Sequence, residues 1–254
     1  MDSVSKLEAR SRQEEDGLEA PSTLLITGST IGIALAHCLA EESSTKEIWL
    51  TWRTKRPEVY SEKITCVQMD ACVEEEVAAV LGRTKKLDGI INTIGLLHDE
   101  SVRPEKSISR LNPASLEKTL AANVLPTLML AKHARKALKD SERSWFASVS
   151  GRVGSIADNE LGGWYSYRAS KAALNMALKT LAIEWRFALP RCTVASLHPG
   201  TVKSPLSEPF TQRTAPERLF TPEQSAEHLK KVLLDLTPAE SGRFWSWNGT
   251  EIPW

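Results

Sequence analysis

Cysteine is scarce in this sequence, and what there is forms no pattern. The four cysteines, Cys38, Cys66, Cys72 and Cys192, lie apart in apolar segments without a C-x-x-C pair. Cysteines scattered in this way fit reduced core thiols better than a disulfide framework or a zinc site. The five histidines also lack a metal-ligand spacing such as H-E-x-x-H. We therefore predict no metal.

Long hydrophobic runs and an excess of one charge are also missing. No apolar stretch approaches the ~20 residues of a membrane-spanning helix, and the N-terminus has no apolar core of a signal peptide. Lys plus Arg and Asp plus Glu both total 32. This balance favours neither nucleic acid nor an anionic membrane as the main partner. We expect a soluble cytoplasmic protein.

No change in composition divides the chain into two domains. Residues 1–20 are polar, carry more acid than base and have no apolar face long enough to dock, so we interpret them as a mobile N-terminal extension. Residues 21–254 are enough for one large domain with a sizeable core.

Short apolar runs alternate with helical patterns along that domain. Strands are predicted at Thr23–Ile26, Glu47–Thr51, Ile64–Gln68, Leu87–Asn92, Ser144–Ser150 and Arg191–Leu197. Helices are predicted after the first strand and over 74–81, 116–138 and 167–187, and the pair Asn112-Pro113 indicates a helix start before the second of these ranges. Such alternation predicts an α/β fold in which a parallel sheet carries helices on both faces.

The first predicted strand leads into a glycine turn, Thr27-Gly28-Ser29-Thr30-Ile31-Gly32-Ile33-Ala34. Glycines let the backbone approach a pyrophosphate, whose charge is met by free N–H groups at the positive end of the following helix. The spacing is not G-x-G-x-x-G. The turn alone therefore indicates either a dinucleotide site or close packing of a helix on its strand.

The far end of the second predicted strand is basic. An NAD site places an acid there, about 20 residues after the glycines, to bind the ribose hydroxyls. Glu47 precedes the strand and lies at the wrong end, whereas Arg53 follows it, with Lys55 and Arg56 nearby. A guanidinium at that position would accept the 2′-phosphate of NADP. We predict NADP(H) rather than NAD(H), the alternative being a solvated basic turn.

Tyr167 and Lys171 stand one helical turn apart and should share one face of their helix. A free tyrosine loses its proton near pH ~10, and an ammonium close by favours the phenolate. We predict that Lys171 lowers the pKa of Tyr167 and makes it a proton donor or acceptor. Tyrosine and lysine also occur four apart by chance on many helices.

In order, these motifs resemble those of the short-chain dehydrogenase/reductase superfamily. Its T-G-x-x-x-G-x-G turn, N-N-A-G strand end and Y-x-x-x-K helix are similar to Thr27–Ala34, Asn92–Gly95 and Tyr167–Lys171. The runs SGRVGSIADNELGGWYSYRASKAALNMALKTLAIE, LHPGTVKSPLS and SGRFWSWNGTEIPW resemble the C-factor-like and sniffer-like carbonyl reductase branch. The resemblance implies a Rossmann-type, doubly wound, mainly parallel seven-stranded sheet. It also implies a homodimer or homotetramer.

A set of cofactor-binding residues follows from the resemblance. It places phosphates at the glycine turn, the adenine amine at Asp70, the adenosine ribose near Asn92 and the nicotinamide at a segment similar to P-G-x-V-x-T. Together with Arg53, which the basic strand end predicts, the cofactor-binding residues are Gly28, Ser29, Ile31, Gly32, Asp70, Asn92, Gly95, Tyr167, Lys171, Pro199, Gly200, Val202 and Ser204. Asp70 also suits an ordinary turn or helix cap. Thr93 and Ile94 depart from N-N-A-G, and Ile94 adds bulk where the family is small.

The resemblance further implies that Asn123 acts with Tyr167 and Lys171, relaying protons through a water. Asn123 lies three residues before Pro126, which removes an N–H from the predicted helix and frees a carbonyl there. The alternative is a surface asparagine on a kinked helix.

The catalytic serine of the family has no direct counterpart. Its S-S-x-x-G pattern falls on Ser150-Gly151-Arg152-Val153-Gly154, so glycine occupies the usual catalytic position. We choose Ser150, which ends the predicted fifth strand, with Ser155 second. Without a hydroxyl donor at the substrate oxygen, the rate would fall on the order of 10²- to 10³-fold.

The activity implied is hydride transfer between NADPH and a small-molecule carbonyl or alcohol, with Tyr167 as proton donor. Polar residues 205–222, which include several prolines, are predicted to form a lid over the substrate. The C-factor resemblance also leaves open a dinucleotide-binding signalling or interaction protein with little or no turnover. A purely structural α/β domain would need every motif to be a coincidence.

Overall fold

Seven strands form one sheet in which every neighbouring pair is parallel. The computed structural model describes residues 22–28, 30–212 and 215–254. The expected N-terminal extension over residues 1–20 and the predicted cofactor residue Ser29 lie outside the described residues. Within them, no helix combines the length and apolar character that crossing a membrane requires.

Strands and helices alternate as the sequence pattern predicts. The strands are β1 (Thr23–Thr27), β2 (Glu47–Trp52), β3 (Ile64–Gln68), β4 (Gly89–Asn92), β5 (Ser144–Val149), β6 (Cys192–His198), β7 (Thr201–Val202), β8 (Leu219–Phe220) and β9 (Arg243–Ser246). The α-helices are α1 (Thr30–Ala40), α2 (Glu74–Arg83), α3 (Pro113–Leu138), α4 (Tyr165–Ala188) and α5 (Pro222–Asp235). The predicted α/β fold with a seven-stranded, doubly wound sheet is confirmed.

Boundaries differ from the predictions by a few residues. β5 ends at Val149, so Ser150 lies just beyond the strand. By contrast, α3 begins at Pro113, as the pair Asn112-Pro113 predicts, because the Asn112 side chain caps the helix by accepting the N–H of Ser115 at 3.2 Å. The sequence patterns do not predict β7 to β9 or α5.

The residues 205–222, predicted as a lid, contain short 3₁₀ turns at Glu208–Phe210 and Pro216–Arg218 and the strand β8. β8 pairs in parallel with β7, which follows β6. The segment is thereby joined to the carboxyl end of the large sheet. Its role over a substrate stays a prediction.

The core has two layers, one on each face of the sheet. Leu24 and Ile26 of β1 pack with α1 and α5, whereas Leu25, between them, packs with α2, α3 and α4. Successive residues of a strand point to opposite faces, so a strand covered on both sides is apolar throughout. This explains why the strands are continuous hydrophobic runs rather than alternating ones.

The strand order is β3-β2-β1-β4-β5-β6-β9. The direction in which strands are added reverses between β1 and β4. In open α/β sheets, the loops leaving two such strands diverge to opposite faces and open a crevice at the carboxyl ends. The fold therefore places its ligand crevice next to the glycine turn.

Candidate functional site

Close backbone contacts require glycine at two positions of the glycine turn. A Cβ atom on Gly28 would lie 2.2 Å from the Thr51 carbonyl oxygen of β2, and one on Gly32 would lie 2.4 Å from that of Thr27. Both distances are too short for any side chain, so these glycines let β1 turn tightly into α1. Close packing, one of the two interpretations open from the sequence, is thus part of their explanation.

A cavity of about 750 Å³ opens at the carboxyl ends of β1 to β4, and we call it the strand-end cavity. Cofactor pockets commonly measure about 300–1,000 Å³. The predicted cofactor residues in its wall are Gly28, Arg53, Asp70 and Gly95. Ile94, which departs from the family pattern, lines it as well. Three other predicted cofactor residues near the turn and β4 do not line the cavity in the described part of the chain: Ile31, Gly32 and Asn92.

The outer edge of the strand-end cavity is basic. Arg53, Lys55 and Arg56 line it, and the Arg53 side chain is 67% exposed. Arg53 Nη1 lies 3.8 Å from Asp70 Oδ2, which holds the guanidinium loosely over the cavity. Asp70 Oδ1 also accepts the N–H of Cys72 at 2.9 Å, which is the turn role that the sequence left open for it.

Asn92 is fully buried and holds the strand ends together. Its Oδ1 accepts the Thr27 hydroxyl at 2.7 Å and the Ile94 N–H at 3.1 Å. Its Nδ2 donates to the hydroxyls of Thr127 at 2.8 Å and Ser148 at 3.3 Å. The amide is thus engaged by β1, β5, α3 and the segment after β4, so Asn92 shapes the cavity from behind.

Three of the four predicted catalytic residues come together beside the cavity. Lys171 is 2% exposed; its Nζ donates to the Val149 carbonyl at 3.0 Å and lies 5.8 Å from the centroid of the Tyr167 ring. A Cβ atom on Gly95 would lie 3.3 Å from Lys171 Nζ and 3.5 Å from Asn123 Oδ1. We call Tyr167, Lys171, Asn123 and Gly95 the tyrosine cluster. Gly95 belongs to both the cluster and the cavity wall.

The pKa of Tyr167 moves in the direction opposite to the sequence prediction. Burial raises the pKa of Tyr167 to about 12. Burial also lowers the pKa of Lys171 to about 8. Both shifts arise because a low-dielectric surrounding disfavours the charged form of each group. The prediction that Lys171 lowers the Tyr167 pKa is wrong for this geometry, in which the ammonium is directed at the Val149 carbonyl.

Asn123 is fully buried, not on the surface of its helix. Its side chain accepts the N–H of Leu96 at 2.6 Å and donates to the Leu96 carbonyl at 2.9 Å and the Ser170 hydroxyl at 2.8 Å. Ser170 Oγ in turn donates to the carbonyl of Tyr167 at 2.8 Å. Asn123 therefore ties α3 to the segment after β4 and to α4. Its proton relay stays a prediction.

The two candidate serines have different surroundings. Ser150 is 3% exposed, and its hydroxyl has no hydrogen-bond partner among the described residues. Ser155 Oγ donates to the Pro253 carbonyl at 2.5 Å and accepts the N–H of Asp158 at 3.1 Å, so that hydroxyl is committed to the C-terminal segment. A Cβ atom on Gly151 would lie 3.9 Å from Tyr167 Oη. Gly151 thus faces the tyrosine, as the family pattern implies.

The segment after β6, predicted to hold the nicotinamide, is braced by its own neighbours. The Pro199 carbonyl accepts the Ser225 hydroxyl of α5 at 2.8 Å, and the Ser204 N–H donates to Ser207 Oγ at 3.2 Å. Val202 lies in β7, two residues after Gly200, and pairs with Phe220 of β8. These four predicted residues lie outside the wall of the strand-end cavity, and their contact with a cofactor stays a prediction.

Sequence reasoning missed an aromatic group beside the tyrosine cluster. The ring centroid of Trp164 lies 6.2 Å from that of Tyr167 and 5.1 Å from that of Phe210. Phe210 also lies 5.5 Å from the His98 ring. The one signal in the sequence is the run Gly162-Gly163-Trp164 just before the helix. Phe210 and His98 join the group only through the tertiary fold.

The chain belongs to the short-chain dehydrogenase family, because the model of that family matches residues 22–215. C-signal of Myxococcus xanthus is 35% identical over 142 residues, which cover 56% of this chain and 80% of that protein. The 1-hydroxy-2-glutathionyl-2-methyl-3-butene dehydrogenase of Rhodococcus sp. (strain AD45) is 29% identical over 238 residues, covering 92% of this chain and 100% of that one.

Solved structures share the fold. The NADPH-bound carbonyl reductase from chicken fatty liver superposes with a TM-score of 0.81 at 22% identity, covering 96% of this chain and 98% of that one. The carbonyl reductase Sniffer of D. melanogaster gives 0.75 at 23% identity, covering 92% and 99%. These structures confirm the fold, and the match to the family model confirms the resemblance to the short-chain dehydrogenases.

Proposed function

We propose that this protein is an NADP-dependent oxidoreductase that transfers hydride between NADPH and the carbonyl or alcohol of a small molecule. The observation that carries the proposal is Gly95, which belongs both to the wall of the strand-end cavity and to the tyrosine cluster. A dinucleotide spanning the crevice would thereby end beside Tyr167. Membership of the short-chain dehydrogenase family supports this class of reaction.

The strand-end cavity fits a phosphorylated dinucleotide. Its volume suits a cofactor, its inner wall is the tight turn at Gly28, and its rim carries the exposed guanidinium of Arg53. A guanidinium pairs well with a phosphate through two parallel hydrogen bonds, which favours NADP(H) over NAD(H). Solved structures with this fold hold NADPH or NADP. Bound NADPH would supply the hydride.

Tyr167 holds the proton for the substrate oxygen. Its pKa of about 12 keeps the phenol protonated throughout the physiological range. A protonated phenol is the form needed to donate to the oxygen as a carbonyl is reduced.

Lys171 keeps positive charge next to Tyr167. With a pKa of about 8 it is mostly protonated at pH 7. Its ammonium lies 5.8 Å from the centroid of the Tyr167 ring, and its hydrogen bond to the Val149 carbonyl fixes its position. We assign it the nicotinamide ribose as well. Asn123, next to Gly95, would return a proton to Lys171 through a water.

Ser150 is the candidate for polarising the carbonyl. Its buried hydroxyl lacks a partner among the described residues and is available to accept or donate a hydrogen bond. Gly151, which faces Tyr167 Oη, brings no hydroxyl of its own. We therefore expect a slower reductase than one with a serine at both positions.

Gly151 also favours a second function, in which the protein binds a partner. With no hydroxyl opposite Tyr167, the chain could bind a dinucleotide chiefly to stabilise a form that contacts a partner. The similarity to the relative named C-signal supports a signalling role as this second function.

Loss of NADPH absorbance with a panel of aldehydes, ketones and quinones tests the proposal, with Tyr167→Phe as the decisive variant. We expect its kcat/KM to fall by about 10³-fold or more, because the proton donor is lost, while NADPH fluorescence shows unchanged binding. Tyr165→Phe, at an exposed position two residues earlier, is the matched control and should keep native activity. A faster rate with NADPH than with NADH supports the role of Arg53.

Turnover retained by Tyr167→Phe would remove the tyrosine from the mechanism. If the native protein binds NADPH but reduces no compound of the panel, the interaction role replaces the reductase role, and the search moves to partners.

A further inference from the structure

Trp164 adopts a backbone conformation that tryptophan rarely takes. Its φ of 53° and ψ of 42° lie in the left-handed region, and it is the one non-glycine residue with positive φ in the described ranges. Gly162 and Gly163 precede it with φ of 63° and 64°. Glycine enters this region freely, but a bulky side chain is a genuine outlier there. Such strain is found where the surroundings impose it, often beside an active site.

Hydrogen bonds of Trp164 and its neighbours hold this conformation. Its N–H donates to the carbonyl of Glu105 at 2.5 Å. Arg168 Nε, one turn into α4, donates to the carbonyls of Gly163 at 3.0 Å and Gly162 at 3.2 Å. The buried carboxylate of Glu105 also accepts the N–H of Ser166 at 3.1 Å at the start of α4. The left-handed turn is therefore fixed to the helix that carries Tyr167.

The turn places the indole ring between the tyrosine and the predicted lid. The ring meets Tyr167 edge-on at an interplanar angle of 67° and Phe210 at 64°. All three residues are only half-buried, so part of each ring remains open to a ligand. On the other side of the tyrosine, Gly151 leaves room beside Tyr167 Oη.

We propose that Trp164 is a specificity-determining residue, forming an aromatic wall against which a carbonyl compound bearing a flat ring binds next to Tyr167. The inference rests on the proposed reductase function. Flat rings gain from edge-to-face and offset contacts with aromatic side chains, whereas a short aliphatic aldehyde has no such surface to offer. A residue held rigidly in a strained conformation supplies this wall at little cost in side-chain ordering.

Kinetics of Trp164→Gly and Trp164→Phe with 4-nitrobenzaldehyde and propanal test the inference. For Trp164→Gly we expect KM for 4-nitrobenzaldehyde to rise about five- to tenfold, the size of a lost aromatic contact, with kcat nearly retained. The kcat/KM for propanal should change by about twofold or less, since that substrate gains little from the wall. Trp164→Phe, which keeps a ring, should lie between Trp164→Gly and the native protein for the aromatic aldehyde.

Thermal unfolding separates this role from a structural one. Glycine relieves the strain of the positive φ at position 164, which offsets the lost ring contacts and the greater freedom of the unfolded chain, so Trp164→Gly should unfold within about 4 °C of the native temperature. Leu161→Gly, which changes a 92% exposed residue of the same loop, is the matched control and should leave both substrates unaffected.

Equal loss of kcat/KM with both aldehydes in Trp164→Gly would overturn the specificity role while leaving the reductase function in place. A native protein that reduces propanal but not 4-nitrobenzaldehyde would overturn it too. If neither aldehyde nor any other carbonyl is reduced, the reductase function itself fails, and the inference fails with it.

Discussion

The strand-end cavity and the tyrosine cluster are neighbours that share Gly95, yet they are built in different ways. The cavity is a backbone feature, with Gly28 packed against β2 and exposed charges such as Arg53 at the rim. The cluster depends on buried side chains, with Asn123 fully buried and Lys171 nearly so. A backbone cradle accepts a common ligand, whereas buried side chains set the protonation states that decide the chemistry.

The largest effect that this comparison predicts is on stability, at the cavity. Gly28→Ala forces a Cβ atom to within 2.2 Å of the Thr51 carbonyl, so β1 and β2 must separate. We expect the free energy of unfolding to fall by about 3 kcal/mol, at the upper end of overpacking costs, with loss of NADPH binding. Urea unfolding measures the change.

Gly82→Ala is the matched control for that substitution. Gly82 lies in α2, and a Cβ atom there meets nothing within 4 Å. Alanine is the better helix former by up to about 1 kcal/mol, so this variant should be slightly more stable than the native protein. Equal stability of the two variants would show that the contact with Thr51 does not constrain the turn.

A smaller effect is expected at the rim of the cavity. Arg53→Ala removes a charge-assisted hydrogen bond to the proposed 2′-phosphate, and NADPH affinity should fall about 10- to 100-fold. NADH lacks that phosphate, so its affinity should stay the same and serves as the internal control. Titration by fluorescence gives both values. An equal loss for both dinucleotides would assign Arg53 a structural role through Asp70 instead.

The smallest predicted effect is a gain in the tyrosine cluster. Gly151→Ser adds a hydroxyl next to Tyr167 Oη, and its Cβ atom would meet Val153 Cγ2 at an ordinary 3.4 Å. The backbone there has φ of −151°, which any residue adopts. We expect kcat to rise about tenfold, a conservative share of what one such donor contributes. Gly151→Ala is the control that fills the space without adding a hydroxyl.

No gain in Gly151→Ser over Gly151→Ala would mean that Ser150 already polarises the substrate, or that proton transfer is not the slow step. Comparing Ser150→Ala in both backgrounds distinguishes these outcomes. If Ser150 already polarises the substrate, Ser150→Ala slows the protein that keeps the native Gly151. If proton transfer is not the slow step, Ser150→Ala leaves the rate of that protein unchanged.

The parts of the site that were predictable from the sequence are the parts with a local cause. Tyr167 and Lys171 share a face because a helix repeats every 3.6 residues. The need for glycine at position 32 follows from its contact with Thr27, five residues earlier. The parallel sheet follows from the alternation of apolar runs and helical patterns. Each of these depends on residues close together along the chain.

The tertiary structure decided the rest, because burial and contact depend on residues far apart in sequence. The Tyr167 pKa rises because packing shields the phenol, and no spacing along the helix reveals that. Asn123 joins α3 to Leu96 and Ser170, and Trp164 contacts Phe210 of the predicted lid. The sequence by itself determined which chemical groups are present and which of them share a helix or a turn. Which groups meet, and in which protonation state, was decided only when the sheet brought its strand ends together.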